Sequence, residues 1–169
     1  MVCVQCAHTL WEPAQPMHDH LGYGITLTDA PDVRAHATID EGLAGYNKEN
    51  SGTDDRRNLA VLVTDPRSGE VVGGILGRTS LGLLFIDLMF LPESLRGSGL
   101  GSRILKMAED EGRKRGCLNA VLYTISFQAP EFYARYGWRE FGRVDCKPQG
   151  TSRVFMTKAL VRRRRSSES

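Results

Sequence analysis

The alternation of apolar and polar positions changes rhythm several times along this chain, and each change predicts an element. Tyr23–Thr28 is a short run with β-branched residues and reads as a strand. Asp29-Ala30-Pro31-Asp32 then reads as a helix start, with a proline where an early helical position tolerates it. Val33, Ala37, Leu43 and Tyr46 share one side of a helix running to about Tyr46, with Gly42 and Gly45 weakening its end. Residues 47–58 are polar and contain glycine, which predicts a loop. Next comes a hairpin: Asn58–Thr64 is compact and apolar, Asp65-Pro66-Arg67-Ser68-Gly69 has turn chemistry, and Glu70–Gly77 resumes the strand. After a break at Arg78–Leu81, Gly82–Leu91 is a third apolar strand, so the three form an antiparallel meander.

Period two then gives way to period 3.6. Behind the glycine-rich Gly97–Gly101, residues Leu100, Ile104, Met107 and Ala108 recur at helical spacing. Glu109 with Arg113 and Asp110 with Lys114 read as i,i+4 pairs on the wet side, and Gly116 as the stop. Leu118–Ser126 is another strand, which makes strand–helix–strand a right-handed parallel crossover. Pro130–Tyr136 reads as a short helix closed by Gly137, and Trp138–Cys146 with Ser152–Leu160 as a final pair of strands. There is no repeat and no internal linker. The reading is a loose leader over 1–22, one α+β domain over 23–160 and a basic tail over 161–169.

Composition narrows the function by exclusion. Among 169 residues, 41% are hydrophobic and 25% charged, the balance of a globular protein. A formal charge of +2 does not call for a nucleic-acid partner, and Arg162-Arg163-Arg164-Arg165 reads as a solvated tail because it lacks aromatics and periodicity. No run approaches the ~18 apolar residues of a membrane span. The N-terminus lacks a basic region followed by an apolar core, so the expected compartment is the cytoplasm, with Cys3, Cys6, Cys117 and Cys146 reduced. Cys3-Val4-Gln5-Cys6 with His8 is half a zinc site without a second pair, and His18-Asp19-His20 reads as part of the leader, so no metal is expected.

The chemistry concentrates in Pro92-Glu93-Ser94-Leu95-Arg96-Gly97-Ser98-Gly99-Leu100-Gly101-Ser102, which joins a strand to a helix start. Open N–H groups and the helix dipole make such an end an anion site, alternating glycines let backbone approach a ligand, and Arg96 adds a fixed charge. The arrangement suits a diphosphate. A P-loop would need a lysine after its glycines, and none follows. A dinucleotide fingerprint would need a glycine where Ser102 stands and an acidic residue near the end of the next strand, which Leu118–Ser126 lacks.

Leu95-Arg96-Gly97-Ser98-Gly99-Leu100-Gly101 resembles the coenzyme A loop of the GNAT superfamily of N-acetyltransferases. Asp87-Leu88-Met89-Phe90-Leu91-Pro92 resembles that family's fourth strand and its exit. Ala129-Pro130-Glu131-Phe132-Tyr133-Ala134-Arg135-Tyr136-Gly137-Trp138 is similar to its Ala-x-x-Phe-Tyr-x-x-x-Gly-Phe segment. The order of elements agrees over residues 23–160. The resemblance implies a three-layer α+β fold whose mixed sheet passes from antiparallel meander to parallel crossover at the loop, with the fourth and fifth strands splayed, often at a bulge.

It also implies roles. The amides from Gly97 through Ser98, Gly99, Leu100 and Gly101 to Ser102, beside Arg96, would hold the pyrophosphate of acetyl-CoA. The backbone of Met89 and Leu91, with Phe90 between them, would receive the pantetheine arm like an added strand. Tyr133 would donate a proton to the coenzyme A sulfur, with Tyr136 a packing neighbour. Asp87 is the candidate base, with substrate anchoring or a structural role as its alternatives. Ser126 stands where many members have an asparagine that contacts coenzyme A. Transfer in the family is direct, so Cys117 is read as packing rather than as a nucleophile. The expected reaction is N-acetylation of an unidentified primary amine on a small molecule or peptide. Glu49, Asp54 and Asp55 could attract a cationic amine or simply be solvated. Members often dimerise through their terminal strands, so a homodimer is one of the open assemblies. The rival reading is a non-catalytic coenzyme A-binding sensor or interaction module.

Overall fold

The computed structural model describes residues 17–18 and 20–161. The Cys3–Cys6–His8 cluster and the arginine run lie outside the described residues. The chain divides into two compact units, residues 1–47 and 48–169.

In the first, β1 (Met17–His18) pairs antiparallel with β2 (Gly24–Ile25), a shorter strand than the β-branched run predicts. The helix α1 spans Val33–Ser51. It starts later than expected: Pro31 lies before the helix and not within its first turn, and Asp32 caps the start, its Oδ1 accepting the Ala35 N–H at 2.6 Å. The helix passes through Gly42 and Gly45 and continues five residues beyond the expected end at Tyr46. Polarity alone does not stop a helix. Gly52 does, at φ +71 with its N–H bonded to the Lys48 carbonyl at 2.9 Å.

The second unit is built on six strands in the order β3-β4-β5-β6-β8-β7. These are β3 (Arg57–Thr64), β4 (Val71–Ser80), β5 (Leu83–Phe90), β6 (Asn119–Ile125), β7 (Arg139–Cys146) and β8 (Thr151–Ala159). All pairs are antiparallel except β5 with β6, which the crossover helix α2 (Leu100–Lys114) connects. The sheet is therefore mixed, as the change of period predicted. At the first hairpin, Asp65 accepts the Arg67 N–H at 2.7 Å and exchanges backbone bonds with Gly69 and Glu70. The next turn falls later than expected, because β4 continues to Ser80. Leu81 takes φ +50, and Asp55 receives the N–H groups of Leu81 at 2.8 Å and Gly82 at 3.3 Å.

Leu59 and Val61 of β3, Ile75 of β4, Leu84 and Ile86 of β5, and Ala120 and Leu122 of β6 point to the face that α2 covers with Ile104, Leu105 and Ala108. The buried stripe of α2 runs through Leu105 and Gly112, while Met107 is 58% exposed, so the stripe is rotated from the one that Leu100, Ile104 and Met107 suggest. Gly112 sets the approach: a Cβ there would lie 3.0 Å from a Leu84 methyl and 3.2 Å from a Leu160 methyl.

The rotation also moves Glu109. It bonds Arg113 at 3.3 Å, as the spacing predicts, but it is 3% exposed rather than on the wet side. It receives the Trp138 indole N–H at 3.0 Å and the Lys158 ammonium at 2.6 and 2.7 Å, joining α2 to β8 and to the start of β7. Asp110 pairs with Lys106 and Arg113 rather than Lys114.

Candidate active site

The site begins with a register error in the sheet. Along β4 and β5 the pairing runs Leu76 with Leu88 and then Gly77 with Ile86, leaving Asp87 as an extra residue on β5. Gly77 permits this bulge. A Cβ at that position would meet the Phe85 carbonyl oxygen at 2.2 Å. Parallel pairing of β5 with β6 stops at Ile86 opposite Leu122, immediately before the bulge, although β5 continues to Phe90 and β6 to Ile125. The two strands therefore part at a defined point.

The gap is part of a cleft of about 710 Å³, within the size range of small-molecule sites. Met89, Phe90 and Leu91 line it from β5 and its exit, Thr124 from β6, and Phe132 and Tyr133 from the short helix α3 (Pro130–Arg135). Its other end is the glycine loop. A 3₁₀ turn at Glu93–Leu95 carries the chain to Arg96, whose Nε donates to the Leu91 carbonyl at 3.0 Å and so folds its guanidinium along the cleft wall. Gly97 and Gly99 adopt φ +75 and +80, with nothing within 4 Å of where a Cβ would stand. Only glycine holds both conformations without strain while leaving the backbone open to a ligand. Gly99 is also the N-cap of α2, and no side chain caps that end. The Leu100 N–H donates to the Ser98 hydroxyl oxygen at 3.4 Å, and the N–H groups of Gly101 and Ser102 are available to an anion, where the helix dipole favours negative charge.

Tyr133 lines the same cleft. It is 8% exposed, held edge-on against Phe132 with centroids 5.1 Å apart and against Trp138 at 6.1 Å. Its hydroxyl faces the Met89 sulfur at 3.5 Å. Burial pushes the phenol above its ordinary value, so it is protonated at neutral pH. The cleft thus combines an anion-binding end with a buried phenol, joined by strand backbone.

The other predicted residues are placed differently. Arg96, Gly97, Gly99, Gly101 and Ser102 line the cleft with Met89, Phe90, Leu91 and Tyr133. Ser98 turns its hydroxyl to the Leu95 carbonyl at 2.8 Å, and Leu100 packs against the core. Ser126 clamps β6 to the start of β8: its N–H donates to the Ser152 carbonyl, and its Oγ accepts the Ser152 N–H at 3.1 Å. Asp87 lies outside the residues that line the cleft. Both its oxygens face Arg78 Nη1, at 2.5 and 2.6 Å, and that guanidinium stacks 4.4 Å over the Phe85 ring. Of the acidic residues before β3, Asp55 caps the Leu81 turn and Asp54 pairs with Lys48 at 3.3 Å. Cys117 is 1% exposed, and burial pushes its thiol up, which suits packing.

Sequence reasoning did not single out Thr124, Phe127, Gln128 or Arg135 as cleft residues. Gln128 accepts the Ile125 N–H at 3.0 Å and the Thr124 hydroxyl at 3.2 Å, fixing the β6–α3 loop that forms one wall. Alternation along β6 puts Thr124 on the covered face with Leu122, which was the available signal.

A mixed sheet parting at one parallel pair, with a glycine loop at the helix that follows, is the framework of an acyltransferase, and the comparisons with known proteins agree. The model of the acetyltransferase (GNAT) family matches residues 25–138, and the chain belongs to that family. An acetyltransferase from Agrobacterium fabrum is 36% identical over 134 residues, covering 79% of this chain and 97% of the relative. Blasticidin-S acetyltransferase from Streptomyces morookaense is 37% identical over 93 residues, 54% of this chain and 68% of that one. The crystal structure of an acetyltransferase from Bacillus cereus superposes with a TM-score of 0.65 at 29% identity, covering 79% of this chain and 96% of the other. The protein is an acetyltransferase of GNAT type, a family that uses acetyl-CoA.

Proposed function

We propose that this enzyme transfers the acetyl group of acetyl-CoA directly to a primary amine of a small molecule or peptide, with the donor lying along the cleft between the glycine loop and Tyr133. The observation that carries this reading is the continuity of that cleft. An open helix start between two glycines at positive φ suits a diphosphate. Beyond the bulge β5 stays paired with β4 but is open on its β6 side, which suits an extended amide chain, and the buried Tyr133 phenol faces Met89 of that stretch. The pyrophosphate amides are those from Gly97 to Ser102.

The chain's own groups then have defined tasks. At pH 7 an alkyl amine of pKa about 10.4 is neutral in roughly one molecule in a few thousand, which costs about 4.6 kcal/mol. An acceptor is needed for the amine proton and a donor for the departing sulfur. Amine nitrogen bonds to the acyl carbon, the carbon–sulfur bond breaks, and the Tyr133 hydroxyl supplies the proton that makes the thiol. Asp87, at the bulge where the strands part, accepts the amine proton through a water, since it does not line the cleft itself and both its oxygens face Arg78. Asp87→Asn is expected to lower kcat/KM for the amine about 10²-fold with acetyl-CoA affinity retained, measured by thiol release. A loss of less than about threefold would reassign Asp87 to the sheet.

Calorimetric titration tests the donor. Acetyl-CoA and coenzyme A are expected to bind and NADH not. Gly99→Glu should abolish binding, because a carboxylate then stands where the pyrophosphate would. Gly99 has nothing within 4 Å of its Cβ position but sits at φ +80, so the variant carries about 1–2 kcal/mol of backbone strain and is expected to stay folded with a slightly lower melting temperature, as a thermal melt will report. Absence of binding to the wild-type protein sinks the proposal.

A further inference from the structure

The cleft continues past the loop. Ser102 and Tyr136 line both the main cleft and a second hollow of about 420 Å³ that runs along α2 past Arg103 and Lys106. With the thioester end of the donor at Met89 and Tyr133 and its diphosphate at the loop, the remaining end lies across Ser102 and Tyr136. That end of coenzyme A carries an adenine ring and a ribose 3′-phosphate, whose charge at neutral pH is between one and two negative units.

The charges around this crossing are unequal in their commitments. Lys106 is paired with Asp110, Arg113 with Asp110 at 2.7 Å, and Lys158 with Glu109 at 2.6 Å. Arg103 in the second hollow and Arg135 in the main cleft have no ion-pair partner among the described residues, and Tyr136 lines both hollows between them. Tyr136 meets Phe132 edge-on at 5.1 Å, and Phe132 in turn packs 3.5 Å from the Cβ position of Gly101. The phenol ring is thus braced against the first turn of α2 while remaining 42% exposed.

We propose that Arg103 and Arg135 read the ribose 3′-phosphate of the donor, with the open side of Tyr136 as a stacking surface for its adenine. This rests on acetyl-CoA being the donor, and it goes further, because it makes the enzyme discriminate coenzyme A from its 3′-dephospho form. A guanidinium suits the task better than an ammonium, since its planar fork holds two phosphate oxygens at once. The two arginines come from different elements, α2 and α3, so they can grip the phosphate from two sides.

The test compares acetyl-CoA with acetyl-3′-dephospho-CoA by calorimetry, in the wild-type protein and in an Arg103→Gln/Arg135→Gln variant. The wild type is expected to bind the dephospho compound about 10- to 100-fold more weakly. In the variant, acetyl-CoA should weaken by that factor while the dephospho compound changes little, so the ratio falls towards one. Tyr136→Ala should weaken both compounds alike, by roughly tenfold. Binding of both compounds by the wild type with equal affinity overturns this assignment alone, as does a ratio that survives the double substitution. Binding of neither overturns the acetyl-CoA reading itself and this assignment with it.

Discussion

Tyr133→Phe is expected to lower kcat by about 10²- to 10³-fold while leaving acetyl-CoA affinity within about twofold. The substitution removes one oxygen from a side chain that is 8% exposed and set between two aromatic rings. The hydroxyl's contact within the chain is the Met89 sulfur at 3.5 Å, a weak acceptor, so the loss to packing is small. On the proposed mechanism, what disappears is the proton for the departing sulfur. Burial pushes the phenol above its ordinary value, so in the wild type this donor stays loaded through neutral pH and loses its proton only above pH 10 or so. Any stability that depends on the neutral phenol is likewise complete below the ordinary value and falls as pH rises past it. Steady-state thiol release beside calorimetry checks the prediction. A variant that retains kcat shows that water or another group protonates the thiolate. A coenzyme A sensor without chemistry predicts instead that wild type and variant both bind and neither turns over with any amine.

Glu109→Gln is expected to cost about 3–5 kcal/mol of folding stability, which lowers the melting temperature by roughly 10 °C for a chain of this size. The carboxylate is 3% exposed and receives three donors: the Lys158 ammonium, the Trp138 indole and the Arg113 guanidinium. With a neutral amide in its place, the indole can keep a bond, but the Lys158 ammonium, whose side chain is 19% exposed, loses its counter-charge. The damage should also reach function, because this cluster ties α2, whose start is the proposed anion site, to β8 and to Trp138 against Tyr133. Thermal or urea unfolding followed by tryptophan fluorescence measures it. Adding Lys158→Met to Glu109→Gln should recover part of the loss, since no buried charge is then left unpaired. A single-variant loss below about 1 kcal/mol would show that the cluster is more hydrated than its burial implies.

Several features were legible in the sequence because they are local. The strand and helix elements and the Asp65 turn depend on residues within a few positions of one another, and the structure places the turn where the pattern does, while α1 starts two residues after Pro31. The conformation of the loop from Arg96 to Ser102 was legible for the same reason: glycines at positive φ before a helix start are recorded in contiguous spacing, and the phosphate site proposed there rests on that spacing. The end of α1 was misjudged because a polar run is compatible with either a loop or a helix, and only Gly52 decides between them.

What the chain could not disclose locally is whatever depends on rotation and register. Period 3.6 admits neighbouring stripes on α2, and the choice between Met107 and Leu105 follows from how closely Gly112 lets the helix approach Leu84 and Leu160. That rotation turned Glu109 from an apparent surface residue into the buried partner of residues 29 and 49 positions away. The opening of the sheet likewise needed Gly77 and Asp87 on different strands to meet at one bulge, and the second hollow needed Tyr136 and Lys158 to come beside α2. The sequence by itself therefore determined the elements, the anion loop and the aromatic segment bearing Tyr133, all encoded in contiguous residues. Tertiary structure alone decided which charges are buried, where the strands part and which arginines flank Tyr136, because each requires separate segments to pack at one fixed rotation and register.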